Sequence, residues 1–542
     1  MSSIEGILSQ SCRAYDLISG MMRAEFATVK STLSELQHPF MSVKSAAVGL
    51  LLSSSAAARV STRSNLPSTV PDYTTSEAGN PFIDGWYADP DTGYYNGEYW
   101  IFPTWSDVYE KQTHLDAFSS PDLVTWTKHP NIITTEEVSW AHKAMWAPAH
   151  IERNGKYYIY FGANDIQIPE IEEGLVGGIG VGVADSPGGP YTDAIGKPLI
   201  ADFHNGAQPI DQDVFIDDDG QAYIYYGGHS HANVAKLNED MISLGTFDDG
   251  STFKEITPEN FVEGSYMIKR NGVYYFMWSE GGWGSSDYSV SYAMSDSPLG
   301  PFERVAKILE QDDAVARSSG HNGVIHVPDT DIYYITYHRR PLSETARDHR
   351  VTCYDRMYFN EDGTIQPVKM LVKDNFDDGQ MIAWNTSGTR GSGDWEVRNK
   401  KLVGSTAGGE GLALAFLDTN FTDVQFDAKI TMAKGATSAL TFRSTNIVGD
   451  EDYYWAKLSQ KQVEVGITRT SEEEVLARGK ACVQPGKESA VRVLAVGSEI
   501  QIFVNNMEKA ALTVEDDTLR RGATGLLVRG EAYFDDISVS YP

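Results

Sequence analysis

The sequence predicts an all-β protein, with a five-bladed β-propeller over residues 80–372 and a β-sandwich over residues 373–542. Three observations predict it. A short motif, a turn containing Gly or Asp, and a Tyr-rich strand recur five times between residues 80 and 345. A second punctuation follows three of those strands. Beyond Lys373 the chain changes to strands of alternating polarity joined by short polar turns.

The N-terminal 79 residues fit neither pattern. Residues 1–40 read as a polar segment without a partner, and as a gene-model extension or disordered. Residues 41–58 begin MSVKSAAVGLLLSSSAAA, with Lys44 as a positive start, Ser45 to Leu52 as a short apolar core and Ala56-Ala57-Ala58 as a small-residue cleavage site. That is the layout of a secretory signal peptide, and the core is too short to span a bilayer. Residues 59–79 form a linker. An extracellular protein is the expectation, and the sequons at Asn385 and Asn420 agree with it.

The five copies begin ADPDTGYYNGEYWIF at Ala88, WAPAHIERNGKYYIYF at Trp146, DQDVFIDDDGQAYIYY at Asp211, EGSYMIKRNGVYYFMW at Glu263 and HNGVIHVPDTDIYYITY at His321. Each leading residue precedes its aromatic strand by a near-constant step. The punctuation SSPDLVTWTKH, DSPGGPYTDA and SDSPLGPFERV marks the outer edge of three units. Repeated four-strand units cannot bury their faces alone, so they pack around an axis as blades. The Asp217-Asp218-Asp219-Gly220 turn in the third copy reads as a solvated Asp-Gly hairpin. The C-terminal strands, among them FTDVQFDAKITM, VEVGITR and AYFDDISVSY, read as a sandwich.

Composition narrows the partners. A net charge of −31 opposes binding to nucleic acid or to an anionic membrane, since neutralising phosphates needs clustered Lys and Arg. A neutral sugar is compatible with it, and a monomer is expected. The three cysteines, Cys12, Cys353 and Cys482, make no disulfide framework or zinc spacing, and Cys353 could pair with Cys482 only if the fold brings them together.

The first strand of each propeller blade lines the central channel, so Asp89, Trp146, Asp211, Glu263 and His321 converge on one funnel mouth. Three carboxylates at close range raise one another's pKa, and a raised pKa suits a general acid.

On Asn80-Pro81, Tyr87-Ala88-Asp89-Pro90, Trp146-Ala147-Pro148, Ile210-Asp211 with Phe215 and Asp217 to Gly220, Glu263-Gly264 with Lys269-Arg270, and Ser319-Gly320-His321-Asn322, the chain strongly resembles glycoside hydrolase family 43. The resemblance covers about Asn80 to Val372. It implies inverting hydrolysis of arabinose- and xylose-containing polysaccharides, with Asp89 as general base, Glu263 as general acid and Asp211 raising the pKa of Glu263 and orienting it. It also implies a divalent ion, calcium above all, beside His321, while the chemistry itself requires no cofactor. Inversion requires base and acid to stand roughly 6.5–9.5 Å apart. Trp105, Trp146 and Trp283 are candidates to wall the sugar, and Arg350, with Arg356 as the competing choice, to reach it from the last blade. Gln212 stands where many members carry proline, and Asp213 beside it is expected to point outward. The C-terminal segment is similar to concanavalin-like modules, including family 66 carbohydrate-binding modules. It is read equally as a buttress or a sugar-binding module, with Asp pairs near both ends that could hold a structural calcium.

The functional expectation is a secreted exo-glycosidase that removes terminal α-L-arabinofuranosyl or β-D-xylosyl residues from plant cell-wall polysaccharide. The alternatives are an endo-acting or galactan-active member of the same family and, in a different class, a non-catalytic carbohydrate-binding propeller.

Overall fold

The computed structural model describes residues 79–386, 393–406, 411–447 and 452–542, so the expected extension and leader, and the linker before Gly79, lie outside the described residues. Four sheets of four antiparallel strands and one of three make the blades. Their innermost strands are Tyr87–Tyr95, Trp146–Arg153, Asp213–Ile216, Glu263–Arg270 and Arg317–Val327. In each blade the Tyr-rich strand pairs with the innermost one. Its alternate side chains, such as Ile101, Ile159, Ile224, Phe276 and Ile335, are fully buried between blades. The last blade has three strands rather than four.

The ring is fastened where its two ends meet. The Asn80 side chain donates to the Tyr354 carbonyl and accepts from the Tyr354 N–H, both at 3.2 Å, on the outermost strand of the fifth blade. Arg339 donates to the Asn80 carbonyl at 2.9 Å. An edge strand is thereby paired instead of left open.

A shared kink sets up the channel. The pairing register slips at the start of four innermost strands, between Ala88 and Asp91, Trp146 and Ala149, Glu263 and Tyr266, and Gly320 and Gly323. At the slip sits a left-handed residue: Asp89 (φ 47°), Ala147 (43°), Gly264 (71°) and His321 (43°), with Asp211 (52°) at the matching place in the third blade. A bulge of this kind bends the strand and re-aims the side chain. Each non-glycine residue held there costs roughly 1–2 kcal/mol, a strain that the surrounding ladder imposes.

The turn at Asp217 closes as expected, with the Gly220 N–H on the Asp217 carbonyl at 2.8 Å and Gly220 at φ 84°. Its first acid is not simply solvated, however. Asp217 accepts from Lys269 and from the Tyr274 hydroxyl, each at 2.6 Å, and so fastens the third blade to the fourth.

The C-terminal region is a sandwich of one eight-stranded and one seven-stranded antiparallel sheet. Val372–Asp374 already belongs to it, pairing with the final strand, Glu531–Ser540. Along Val424–Met432 alternate residues are buried, the period-2 pattern of a sheet with one face in the core. The sandwich shares a continuous core with the last two blades, in which Tyr275, Tyr292 and Val351 meet Met370, Leu417 and Phe421. The Asp pairs have protein partners: Asp374 accepts from the Phe376 N–H and Trp384 Nε1, Asp377 meets Lys400, and Asp535 and Asp536 meet Lys401 and Lys429. Cys353 is a buried free thiol, so it does not pair with Cys482.

Candidate active site

The kinked strand starts aim Asp89, Asp211, Glu263 and His321 into one cavity, together with Trp146, Trp283, Arg350, Tyr109, Asp165, Gln208 and Ile210. The cavity holds about 150 Å³, below the roughly 300–1,000 Å³ of sites that enclose a drug-sized ligand. That volume suits a single small ring.

Asp89 is the most heavily supported acid. Arg350 donates to its two oxygens at 2.9 and 3.5 Å, and His338 Nδ1 lies 3.1 Å from Oδ1. Burial alone would raise this carboxyl, but the guanidinium of Arg350 and the two imidazoles around it reverse the effect and hold it well below the usual carboxylate range. Arg350 is itself fixed by Ser106, whose hydroxyl accepts from Nε at 2.9 Å. Burial pushes the His338 imidazole down to about 4, so it is neutral and serves as a dipolar neighbour.

Glu263 has the opposite bias. Burial, with the Asp89 charge adding to it, pushes its carboxyl up to about 7, against a 3.0 Å hydrogen bond donated by the Tyr288 hydroxyl. Asp211 is raised as well, by burial first and then by the charges of Glu263 and Asp89. Asp211 and Glu263 titrate as a pair, which holds a proton near neutrality. The Gly264 backbone hydrogen-bonds Asp211, tying the two acid-bearing strands together. Gly264 is needed where it stands: its φ is 71°, and a Cβ would lie 2.8 Å from Ser279 Oγ, which accepts the His321 N–H.

His321 Nδ1 sits between the acids, 3.4 Å from Asp89 and 3.5 Å from Asp211. The ionised Asp89 favours the tautomer with the proton on Nδ1, which leaves the Nε2 lone pair for a cation. Among the described residues no group of three or more His, Cys, Asp or Glu is arranged to hold a metal. A calcium ion there would have His321 as its one protein donor and water for the rest.

Several expectations change. Trp105 does not line the cavity; it packs edge-on against Tyr87 at 5.5 Å inside the first blade. Arg350, not Arg356, reaches the site, because Arg356 lies over Tyr334 and Tyr358. Asp213 is buried rather than turned outward. It opens the innermost strand just past the left-handed Asp211, so the kink overrides simple alternation, and it accepts the Met267 N–H of the fourth blade at 2.7 Å. Gln212 has a use that proline could not serve: its Nε2 donates to the Tyr160 carbonyl at 3.0 Å and to that of Ala147, joining the third blade to the second. Trp283 lies against the guanidinium groups of Arg347 and Arg350, at 4.1 and 5.1 Å, which docks its glycine-rich loop onto the rim. Tyr109, Asp165, Gln208, Tyr288 and His338 were not singled out from sequence, since none sits in a repeated motif.

The glycosyl hydrolases family 43 model matches residues 78–365, which spans the whole propeller. The chain belongs to glycosyl hydrolase family 43. It is a glycoside hydrolase, and the cavity at the propeller axis is its candidate active site. Among curated relatives of this family 43 chain, the Beta-D-galactofuranosidase xynD of Aspergillus niger is 49% identical over 313 residues, 55% of this chain and 87% of that protein. The Xylosidase/arabinosidase 43A of Humicola insolens is 29% identical over 53% of this chain and 98% of its own length. The Arabinoxylan arabinofuranohydrolase of Bacillus subtilis is 31% identical over 53% and 64%. A solved α-L-arabinofuranosidase from Clostridium thermocellum is 31% identical, with 52% of this chain and 93% of that one covered and a TM-score of 0.44.

Proposed function

We propose that this family 43 hydrolase is a secreted, inverting, exo-acting glycosidase that removes terminal α-L-arabinofuranosyl or β-D-xylosyl residues from plant cell-wall polysaccharide. The observation that carries the reading is the opposite bias of two carboxylates in one small cavity. Asp89 is held ionised by Arg350, and Glu263 is kept protonated by its buried position beside other acids. That is the division of labour acid–base catalysis requires.

In the step so derived, Asp89 takes a proton from water as the water oxygen bonds to the anomeric carbon. The glycosidic C–O bond breaks as Glu263 delivers its proton to the leaving oxygen. Asp89 ends protonated and Glu263 ionised, and both reset by exchange with solvent. Asp211 keeps the Glu263 carboxyl raised and oriented through the strand contact at Gly264. Trp146 and Trp283 wall the ring. The small cavity supports exo action, and the leader-like residues 41–58 support secretion.

A second substrate reading, a terminal β-D-galactofuranosyl residue, is favoured by the 49% identity to the Aspergillus galactofuranosidase. α-L-arabinofuranose and β-D-galactofuranose present the same ring and differ only in the length of the exocyclic arm. Turnover of the aryl α-L-arabinofuranoside, β-D-xyloside and β-D-galactofuranoside ranks the three, and proton NMR of the first-formed sugar reads the stereochemistry. The proposal expects the inverted anomer first; a retained anomer would refute it.

A further inference from the structure

The cavity contains a fourth carboxylate that the acid–base scheme leaves without work. Asp165 follows the second strand of the second blade, at a point where Asn164 and Asp165 are both left-handed (φ 72° and 51°). The loop is bolted at its base. Asn164 Oδ1 accepts from the His142 N–H at 2.8 Å, and its Nδ2 donates to the Trp140 and Val176 carbonyls at 2.8 and 2.7 Å. Strained backbone held this firmly indicates that the direction of the next side chain matters.

The hydrogen bonds of Asp165 are one-sided. Gln167 Nε2 and Gln208 Nε2 both donate to Oδ1, each at 3.0 Å. Oδ2 receives neither, on a residue that lines the cavity. Gln208 lines it too and is 3% exposed. Its Nε2 is committed to Asp165 and to the Ile166 carbonyl, and among the described residues its Oε1 has no donor. Both residues line the cavity with an acceptor that neither of these bonds occupies, and the hydroxyl of a ligand can supply the missing donor.

We infer that Asp165 Oδ2 and Gln208 Oε1 form an acceptor pair for sugar hydroxyls, and that Asp165 is a specificity-determining residue of this pocket. The inference rests on the glycosidase reading and deepens it. The ligand class is a glycone whose hydroxyls donate to this wall while Arg350 and the acids attend to the anomeric side. A carboxylate that accepts two amide N–H groups on one oxygen and none on the other is set to take a hydroxyl proton. Asp165 also adds its charge to those that raise Glu263, so a purely electrostatic role is the competing explanation to be separated.

The Asp165→Asn variant separates them. The two glutamine donors keep the amide oxygen on their side, which turns an NH₂ donor toward the sugar in place of an acceptor. The test compares wild type, D165N and D165A on aryl α-L-arabinofuranoside and on its monodeoxy analogues, with melting temperatures alongside. The expected result is a D165N protein that melts like wild type and loses roughly 10- to 100-fold in kcat/KM, chiefly through KM. On the one monodeoxy substrate that lacks the donated hydroxyl, that loss should vanish. An equal loss on every monodeoxy substrate would overturn the inference. So would a loss confined to kcat with the alkaline limb of the pH profile displaced. If wild type cleaves none of the glycosides, the glycosidase reading fails separately; calorimetric binding of L-arabinose to wild type and D165N then still decides whether Asp165 grips sugar.

Discussion

Arg350 and Asp89 face each other in a forked contact, Nη1 to Oδ1 at 2.9 Å and Nη2 to Oδ2 at 3.5 Å, although they come from opposite ends of the propeller sequence. The contact holds the carboxyl of Asp89, the proposed base, well below the usual carboxylate range. Removing the guanidinium in Arg350→Met leaves Asp89 with burial as the dominant influence, which raises a carboxyl. The acidic limb of the kcat/KM profile should then move to higher pH, by about one pH unit or more. A pH–rate profile on an aryl glycoside checks this, and an unmoved limb would mean that Arg350 does not set the charge of Asp89.

Tyr288 and Glu263 give the opposite limb. The Tyr288 hydroxyl donates to Glu263 Oε1 at 3.0 Å and so favours the ionised carboxylate, opposing burial. Tyr288→Phe removes that opposition. Glu263, the proposed acid, should stay protonated to higher pH, and the alkaline limb should shift upward with it. A downward shift would show that the hydroxyl acts differently.

Asp213 makes a stability prediction. It lies buried near the axis beside Asp91, and burial pushes its carboxyl up to about 7. Asp91 is raised too, by burial and then by the Asp213 charge. A carboxyl raised in the fold contributes stability that is fully present below its unfolded pKa, about 3.9. That contribution is lost as pH rises through the folded value near 7. Asp213→Asn keeps an acceptor for the Met267 N–H and removes the titration. The melting temperature of the variant should fall less than that of wild type between about pH 5 and pH 8. Parallel curves would contradict the assignment.

Calcium at His321 has a direct check. If the ion helps hold the channel, exhaustive treatment with a chelator should lower the melting temperature, and added calcium should restore it. By binding linkage, ligand at about 100 Kd contributes about 2.7 kcal/mol. No change in melting or turnover after complete metal removal would eliminate the ion from the account.

How much of this was legible in the sequence depends on which residues carried a repeat. The five innermost strands were, because each begins with a motif and ends at an aromatic run; Asp89, Asp211, Glu263 and His321 were found that way. The register was not. Asp89 matches Gly264 in the fourth blade, not Glu263: the acid stands at the left-handed kink in the first blade and one residue before it in the fourth, which spacing alone cannot locate. Asp165, Tyr109 and Gln208 were missed because they lie on connections between strands, where no periodicity operates. Trp105 was over-read for the converse reason: an aromatic at the end of a strand can face the pocket or the blade, and only packing decides.

The measurement that bears most directly on the central claim is the turnover of Asp89→Asn and Glu263→Gln beside wild type, on aryl α-L-arabinofuranoside and aryl β-D-xyloside. Both variants should melt close to wild type. Each should lose about 10²–10⁴-fold in kcat, the contribution of a positioned acid or base. A variant that keeps most of the wild-type rate on the preferred substrate would mean that the residue it replaces is neither the acid nor the base.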